Sequence, residues 1–243
     1  IYDATIADTL NASTAIEAVT APGGASGWSG QVVTANFATI PAFSTAYVTI
    51  TARLLSSSNR VAGDLFSNQA TLSHTTGLTT SNITQVRVLE PSLTLAKSSN
   101  PISGSLINAG ESVTYTVNVT NATGANVSAA HDLIITDTLP QYLRGAQPLL
   151  ITATLDGAPI DAAHYVISWD TASGVYTTAF DSSLNLAPNS TLALQYAATV
   201  ENSVPLVATL INRAQAVYSS LAGNIIGERA YTTNVATTTL RIN

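Results

Sequence analysis

The chain contains a single lysine, Lys97, and the surrounding pattern indicates that its side chain points toward the protein interior. It ends the stretch LTLAK (93–97), in which apolar residues alternate with polar or small ones. Alternate residues of a β-strand share a face, so Lys97 lies on the same face as Leu93 and Leu95. A buried lysine is costly unless it is paired. The plainer interpretation is a lysine at a strand end whose amine reaches solvent.

Asp137 and Asn212 show the same conflict between residue type and strand face. In HDLIITDTL (131–139) the more apolar face includes Asp137, whereas Asp132 lies on the opposite face. In LINRAQAVY (210–218) the apolar face includes Asn212. Alternation therefore predicts that Asp137 and Asn212 point inward, with Asp132 as the alternative acid. Asp137 also has a plainer interpretation, in which its side chain closes a turn before Leu-Pro.

A buried lysine, carboxylic acid and asparagine amide together allow one particular reaction. Burial lowers the pKa of a lysine and raises the pKa of an aspartic acid. A neutral amine is a nucleophile, and a protonated carboxyl group can polarise the amide carbonyl by hydrogen bonding. The amine attacks the amide carbon, ammonia leaves, and a Lys–Asn isopeptide bond joins two strands. Such a reaction occurs once per molecule, so the sequence does not predict an enzyme.

Composition excludes several classes of protein. Hydrophobic residues make up 46 % of the chain and charged residues 9 %, which is too apolar for disorder. The formal net charge of −6 gives no basic patch for nucleic acid or an anionic membrane. There is no cysteine, no apolar run of the roughly 20 residues that span a membrane, and no metal-ligand spacing among the histidines. We expect no cofactor and no metal. The absence of an initiator methionine and signal peptide favours an internal piece of a larger precursor.

Strand signals cover most of the chain and predict an all-β fold. Period-2 segments such as ESVTYTVNV (111–119) and STLALQYAATV (190–200) are separated by Gly, Pro, Asn and Ser. Asp156-Gly157 is a strong hairpin signal. Many short strands at this spacing predict antiparallel Ig-like β-sandwiches.

Segments from the first part of the chain match later segments in the same order, which predicts two tandem copies of one domain. The copies are residues 1–90 and 91–243, with the break near Glu90-Pro91. The matched pairs are residues 2–10 with 131–139, 44–52 with 190–198, 66–74 with 210–218, and 81–86 with 233–238.

The first copy is predicted to lack its N-terminal strands, because residues 91–130 have no counterpart in it. Asp8 and Asn68 match Asp137 and Asn212, but no lysine accompanies them. Lys97 could in principle bond Asn68, but the break near Glu90-Pro91 assigns Lys97 to the second copy. Two explanations remain open. Either the chain is cut from a longer repeat array, or a neighbouring molecule supplies the missing strand by donor-strand complementation.

The motifs LTLAKSSNP, ESVTYTVNVTN, IITDTLP and LINRAQAVY together resemble the conserved Ig-like repeat domain of large bacterial and archaeal surface proteins, the domain of unknown function eleven type. They are also similar to the isopeptide-forming domains of Cna-type adhesins and pilins. The resemblance implies that Lys97 and Asn212 are the bonded pair and that Asp137 is the catalytic acid. The first copy departs from the pattern, with Asn11 in place of the DTLP proline.

These observations predict a structural stalk or fibre repeat of an extracellular, cell-surface adhesin or filament, stabilised by an internal isopeptide bond. Its partners would be neighbouring repeats or adjacent subunits, with a host or surface ligand at a distal tip. Two alternatives remain: a filament subunit that polymerises by strand donation, and a ligand-binding adhesin module.

Overall fold

The computed structural model describes residues 1–57 and 59–243, which form two compact units. Unit 1 is Ile1–Leu89 and unit 2 is Glu90–Asn243. The predicted all-β, Ig-like class is confirmed: the strands form largely antiparallel sheets, and the described residues contain no α-helix. Two short 3-10 helices, Gln141–Leu143 and Ala162–His164, lie in connections.

Unit 1 consists of one larger sheet and two strand pairs. The sheet has the order β3-β4-β1-β7-β8, and the pairs are β2-β5 and β6-β9. Its buried core is small and centres on Phe37 and three alanines. The strands are β1 (Tyr2–Thr9), β2 (Thr14–Thr20), β3 (Ala25–Ser29), β4 (Val32–Thr39), β5 (Thr49–Leu54), β6 (Leu65–Asn68), β7 (Ala70–His74), β8 (Gly77–Thr80) and β9 (Thr84–Arg87).

Unit 2 is a two-sheet sandwich whose apolar faces enclose one large core. One sheet has the order β10-β12-β18-β14-β15, and the other has the order β11-β21-β19-β13-β17-β16, with β20 beside β19. The strands are β10 (Leu93–Asn100), β11 (Leu106–Ile107), β12 (Ser112–Asn121), β13 (His131–Thr138), β14 (Leu149–Leu155), β15 (Ala158–Pro159), β16 (Tyr165–Asp170), β17 (Val175–Phe180), β18 (Thr191–Thr199), β19 (Thr209–Ser219), β20 (Ala230–Thr232) and β21 (Ala236–Ile242).

The strand pairings of unit 1 recur in unit 2. Strand β1 lies between β4 and β7, as β13 lies between β17 and β19. The pairs β2-β5 and β6-β9 correspond to β14-β18 and β19-β21. Asp3 and Asp132, near the starts of β1 and β13, both have positive φ. Within its described residues, unit 1 has no strand that corresponds to β10, β11 or β12.

The sequence match for the last strand of each copy is wrong by two residues. Thr84 of β9 pairs with Asn68, and Thr238 of β21 pairs with Asn212, so Thr84 corresponds to Thr238. Matching by residue type alone had aligned Thr84 with Ala236, two positions earlier in the chain. The register of a strand depends on the connection before it, and the segment between β7 and β9 (residues 75–83) is shorter than the segment between β19 and β21 (residues 220–235).

Equivalent positions differ sharply in burial because unit 1 lacks these strands. Val86 pairs with Phe66 in unit 1 in the way that Leu240 pairs with Leu210 in unit 2. Leu240 is fully buried, with 0 % of its surface exposed, whereas Val86 is 67 % exposed. Strand β10 packs against β21 and provides this cover in unit 2. Part of the interior of unit 1 is therefore open.

We predict that Leu240→Ala destabilises unit 2 by about 2–5 kcal/mol, because it leaves a cavity in a closed core. Val86→Ala should change the free energy of unfolding of unit 1 by less than about 0.5 kcal/mol, since that side chain is mostly exposed. Denaturant unfolding followed by tryptophan fluorescence measures each unit separately: Trp169 reports unit 2 in a Trp28→Phe background, and Trp28 reports unit 1 in a Trp169→Phe background. Equal effects of the two alanine substitutions would contradict the difference in burial.

Candidate functional site

Lys97, Asp137 and Asn212 meet in the interior of unit 2. They come from β10, β13 and β19, respectively. The side chains of Lys97 and Asp137 are 0 % and 1 % exposed, and Asn212 as a whole residue is 0 % exposed. The predicted inward orientation of all three is confirmed. The interpretation of Lys97 as a strand-end residue with its amine in solvent is wrong, because no part of its side chain reaches the surface.

The amine of Lys97 is held by an acid and a phenol. Lys97 Nζ donates a short hydrogen bond to Asp137 Oδ2 and a second bond, 2.9 Å long, to Tyr196 Oη. The Tyr196 hydroxyl donates a short hydrogen bond to the same Asp137 oxygen. Asn212 Nδ2 donates to Tyr196 Oη at 3.3 Å. The Tyr196 hydroxyl thus links the amine, the acid and the amide in one network.

Aromatic rings enclose this network. Lys97 Nζ lies 4.7 Å from the ring centroid of Tyr115 and 5.3 Å from that of Tyr196, which are cation–π distances. The Tyr196 ring packs against Tyr115 and Tyr176, with centroids 5.6 and 5.0 Å apart. These tyrosines are site residues that were not predicted from the sequence. Strand alternation could have predicted that Tyr115 and Tyr196 point inward, because they lie on the buried faces of β12 and β18.

Burial shifts both charged groups toward their neutral forms. It lowers the pKa of the Lys97 amine, and the adjacent Asp137 opposes part of that shift. Burial also raises the pKa of Asp137, against the opposing effects of Lys97 and of hydrogen bonds from Tyr196 and Asn212. The pKa of Tyr196 is raised well above its usual value, chiefly by burial, so its hydroxyl keeps its proton. This environment favours a neutral amine beside a protonated acid.

The acid and the amide each have one buried oxygen that accepts no hydrogen bond. They are Asp137 Oδ1 and Asn212 Oδ1. A buried acceptor without a donor is costly. A proton on the Asp137 carboxyl group would add a donor to a site whose acceptors lack one. This pattern is the one expected where a carboxylic acid polarises an amide carbonyl.

Side chains hold β10 in place along the edge that has no neighbouring strand. Asn234 accepts a hydrogen bond from the backbone NH of Leu95 at 3.0 Å and donates to the backbone carbonyl of Leu95 at 2.8 Å. The Tyr218 hydroxyl accepts from the NH of Leu93 at 3.1 Å. These contacts occupy backbone groups that another strand would otherwise bind. They fix the position of Lys97, two residues farther along β10.

The alternative acid, Asp132, lies outside the Lys97 network. Its Oδ2 accepts a hydrogen bond from Ser219 Oγ at 2.9 Å, and the pairing of β13 with β19 is irregular at this point. Asp137 Oδ2 accepts hydrogen bonds from Lys97 and Tyr196, so this oxygen does not close a turn before Leu-Pro. The geometry therefore favours Asp137 over Asp132 as the acid.

Unit 1 contains the acid and the amide without an amine. Asn68 Nδ2 donates to Asp8 Oδ2 at 2.8 Å. Asp8 Oδ1 and Asn68 Oδ1 are buried and accept no hydrogen bond, as for the corresponding atoms of Asp137 and Asn212. Asp8 is 8 % exposed. Within unit 1, no lysine reaches this pair, since the chain's single lysine belongs to unit 2.

No cluster of three or more His, Asp or Glu side chains suited to a metal ion occurs among the described residues. In the same part of the chain, no helix is long and apolar enough to cross a membrane.

No protein-family model matches the sequence, and no curated protein matches it. Two solved structures are similar over 98 % of this chain and 84 % of theirs, at 12 % identity. One is BspA_C_WT, with a TM-score of 0.55, and the other is the C-terminal domain of the Streptococcus agalactiae AgI/II polypeptide BspA, with a TM-score of 0.53. This likeness establishes a shared fold. The resemblance to the surface-protein repeat family stays a prediction.

We predict that Asn234→Ala destabilises unit 2 by about 1–3 kcal/mol, because it removes two hydrogen bonds from the backbone of Leu95. Denaturant unfolding followed by Trp169 fluorescence measures the loss. Amide hydrogen exchange should also show faster exchange at Leu95. The matched control is the exposed Asn185→Ala, which should change the free energy of unfolding by no more than about 0.5 kcal/mol. Unchanged exchange at Leu95 would contradict the role of Asn234.

Proposed function

We propose that unit 2 is a self-cross-linking structural repeat in which Lys97 and Asn212 form an intramolecular isopeptide bond, with Asp137 as the acid. The observation that carries this proposal is that the side chain of the only lysine is completely buried beside a buried acid and a buried amide. A buried ion pair is a poor source of stability compared with apolar packing. A chemical role gives a reason for these three residues to occupy the core.

The reaction follows from the protonation states that burial favours. The neutral Lys97 amine attacks Cγ of Asn212, while the protonated Asp137 donates a hydrogen bond to the amide oxygen and stabilises the negative charge that develops there. The Cγ–Nδ2 bond then breaks. Nδ2 leaves as ammonia with the proton that the amine gives up, and a secondary amide between Lys97 and Asn212 remains. Tyr196 positions the amine and the amide through its hydroxyl group.

In the whole protein we propose a mechanical role, as part of a stalk or fibre of an extracellular surface adhesin or filament. The similar solved structures include a C-terminal domain of a streptococcal AgI/II polypeptide. Shared strand pairings support two copies of one repeat, residues 1–90 and 91–243, whose partners are neighbouring repeats or adjacent subunits. The bond would connect β10 to β19, which belong to opposite sheets. Tension would then pass through a covalent link and not through hydrogen bonds alone.

We predict that the denatured chain has a mass about 17 Da below that calculated from its sequence, because one ammonia is lost. Intact-mass spectrometry measures the deficit, and peptide mapping should place the link between Lys97 and Asn212. The deficit should be absent from Lys97→Arg and from Asp137→Asn. It should persist in Asp132→Ala, because Asp132 lies outside the network.

Circular dichroism of each variant shows whether its fold is retained, which separates loss of chemistry from loss of structure. A full calculated mass for the folded wild-type protein would refute the bond. Persistence of the deficit in folded Asp137→Asn would refute the role of Asp137 and leave the bond itself established.

We predict a second signature under force. When unit 2 is pulled from its ends, the segment between Lys97 and Asn212 should not extend, whereas in folded Asp137→Asn it should add about 3.4 Å per residue. Single-molecule force spectroscopy measures the difference in contour length. Equal extensions for the two proteins would contradict a load-bearing cross-link.

A further inference from the structure

The cross-linking reaction proposed for unit 2 has to move a proton between two nitrogen atoms. The neutral amine of Lys97 becomes the NH of a secondary amide, so it loses one proton. The Nδ2 group of Asn212 leaves as ammonia, so it gains one. When the new bond forms, both nitrogens are attached to the same carbon, Cγ of Asn212. Direct transfer between them would pass through a strained four-membered ring, so another group has to carry the proton.

The hydroxyl oxygen of Tyr196 contacts both of these nitrogens. It accepts a hydrogen bond from Lys97 Nζ at 2.9 Å and another from Asn212 Nδ2 at 3.3 Å. A tyrosine hydroxyl has one proton to donate and lone pairs that accept. It can therefore receive a proton from one nitrogen while it gives its own proton to the other.

Burial leaves these nitrogens dependent on groups of the protein for proton transfer. The Lys97 side chain and the residue Asn212 are both fully buried, so bulk solvent does not reach either nitrogen. Tyr196 is also buried, and burial raises the pKa of its hydroxyl well above the usual value. The hydroxyl thus holds its proton at rest, in a short hydrogen bond to Asp137 Oδ2.

Unit 1 shows how the acid and the amide are arranged without a tyrosine. Asn68 Nδ2 donates a hydrogen bond directly to Asp8 Oδ2 at 2.8 Å, and β5, the counterpart of β18, contains no tyrosine. In unit 2 the amide nitrogen donates to Tyr196, whose hydroxyl bonds the acid in turn. The tyrosine hydroxyl therefore accompanies the lysine in the unit where the three reacting groups meet.

We propose that Tyr196 is a catalytic residue that relays the proton during formation of the Lys97–Asn212 bond. As Lys97 Nζ bonds to Cγ of Asn212, it passes one proton to Tyr196 Oη, and Tyr196 passes its own proton to Nδ2. The Cγ–Nδ2 bond then breaks and ammonia leaves. Tyr196 finishes with one proton, as it began, and Asp137 keeps its own proton for the bond to the amide oxygen. This inference rests on the isopeptide chemistry proposed for unit 2.

The test measures the rate of bond formation in the full chain. The chain is made in a short pulse of cell-free translation, and samples taken after translation stops are denatured in acid. Intact-mass spectrometry follows the deficit of about 17 Da that reports the bond. Resistance to protease in the same samples reports folding, and the temperature is chosen so that folding precedes bond formation.

Tyr196→Phe keeps the aromatic ring and removes the hydroxyl. We expect the folded variant to form the bond about 10²–10⁴-fold more slowly than the wild-type protein, which is the range typical of general acid–base catalysis. Bond formation at the wild-type rate in folded Tyr196→Phe would overturn the relay.

Tyr176→Phe is the matched control. Tyr176 is buried, and its ring centroid lies 5.0 Å from that of Tyr196, so the substitution removes a hydroxyl from the same aromatic cluster. The hydrogen bonds described for Lys97 and Asn212 do not involve Tyr176. This variant should form the bond at the wild-type rate. Equal slowing by both substitutions would assign the effect to packing and overturn the relay.

A measurement on the wild-type protein tests the relay without any substitution. The rate is measured in mixtures of H2O and D2O. A relay moves one proton onto Tyr196 Oη and another off it in the same step, so the rate should fall along a curve as the deuterium fraction rises. Transfer of a single proton gives a straight line. A straight line for the wild-type protein would overturn the relay even if Tyr196→Phe does not fold.

The relay and the bond can fail separately. The absence of a mass deficit from the folded wild-type protein would refute the bond and the relay together. A deficit that forms equally fast in the wild-type protein and in folded Tyr196→Phe would establish the bond and overturn the relay alone. Slower bond formation in Tyr196→Phe, with the same curve in D2O as the wild-type protein, would reduce Tyr196 to a positioning residue and also overturn the relay.

Discussion

The contact between Lys97 and Asp137 is the constraint on which the interior of unit 2 depends. Two ionisable groups lie where neither is exposed, so each must find a partner or become neutral. The surrounding structure meets both needs: Tyr196 bonds the amine and the acid, and burial shifts both pKa values toward neutral forms. The proposed bond would remove one of the two ionisable groups, because it replaces the amine with an amide that needs no counter-charge.

A second requirement is that β10 stays in place, since it carries Lys97 on a strand that pairs only with β12. Asn234 binds both backbone groups of Leu95, and Tyr218 binds the NH of Leu93. These side chains close an edge that would otherwise attract other strands. Unit 1 shows the same fold without this closure: its β9 is exposed along its length, and Val86 lies uncovered. The two units thus present a closed and an open version of one set of strand pairings.

The proposed cross-link would give covalent reinforcement to a chain that has no cysteine. A link between Lys97 and Asn212 would close a loop on the order of 100 residues, for which chain entropy predicts about 5 kcal/mol of stabilisation, as for a disulfide of that span. It would also connect strands of opposite sheets. In a stalk or fibre, such a link resists force where strand pairing alone would separate.

The sequence by itself determined the strand class, the inward faces and the three residue types of the site. Alternation sufficed for Lys97, Asp137 and Asn212, because side-chain direction in a strand is a local property of the backbone. Alternation placed Asp132 on the opposite face, but its bond to Ser219 and the irregular pairing near the start of β13 depend on β19 and came only from the tertiary structure. It also left the roles of Tyr196 and Asn234 unassigned, because each acts across a distance in sequence that only folding closes. Tertiary structure alone set the register of β9 and showed that the interior of unit 1 is open, since burial depends on which strands pack above a residue.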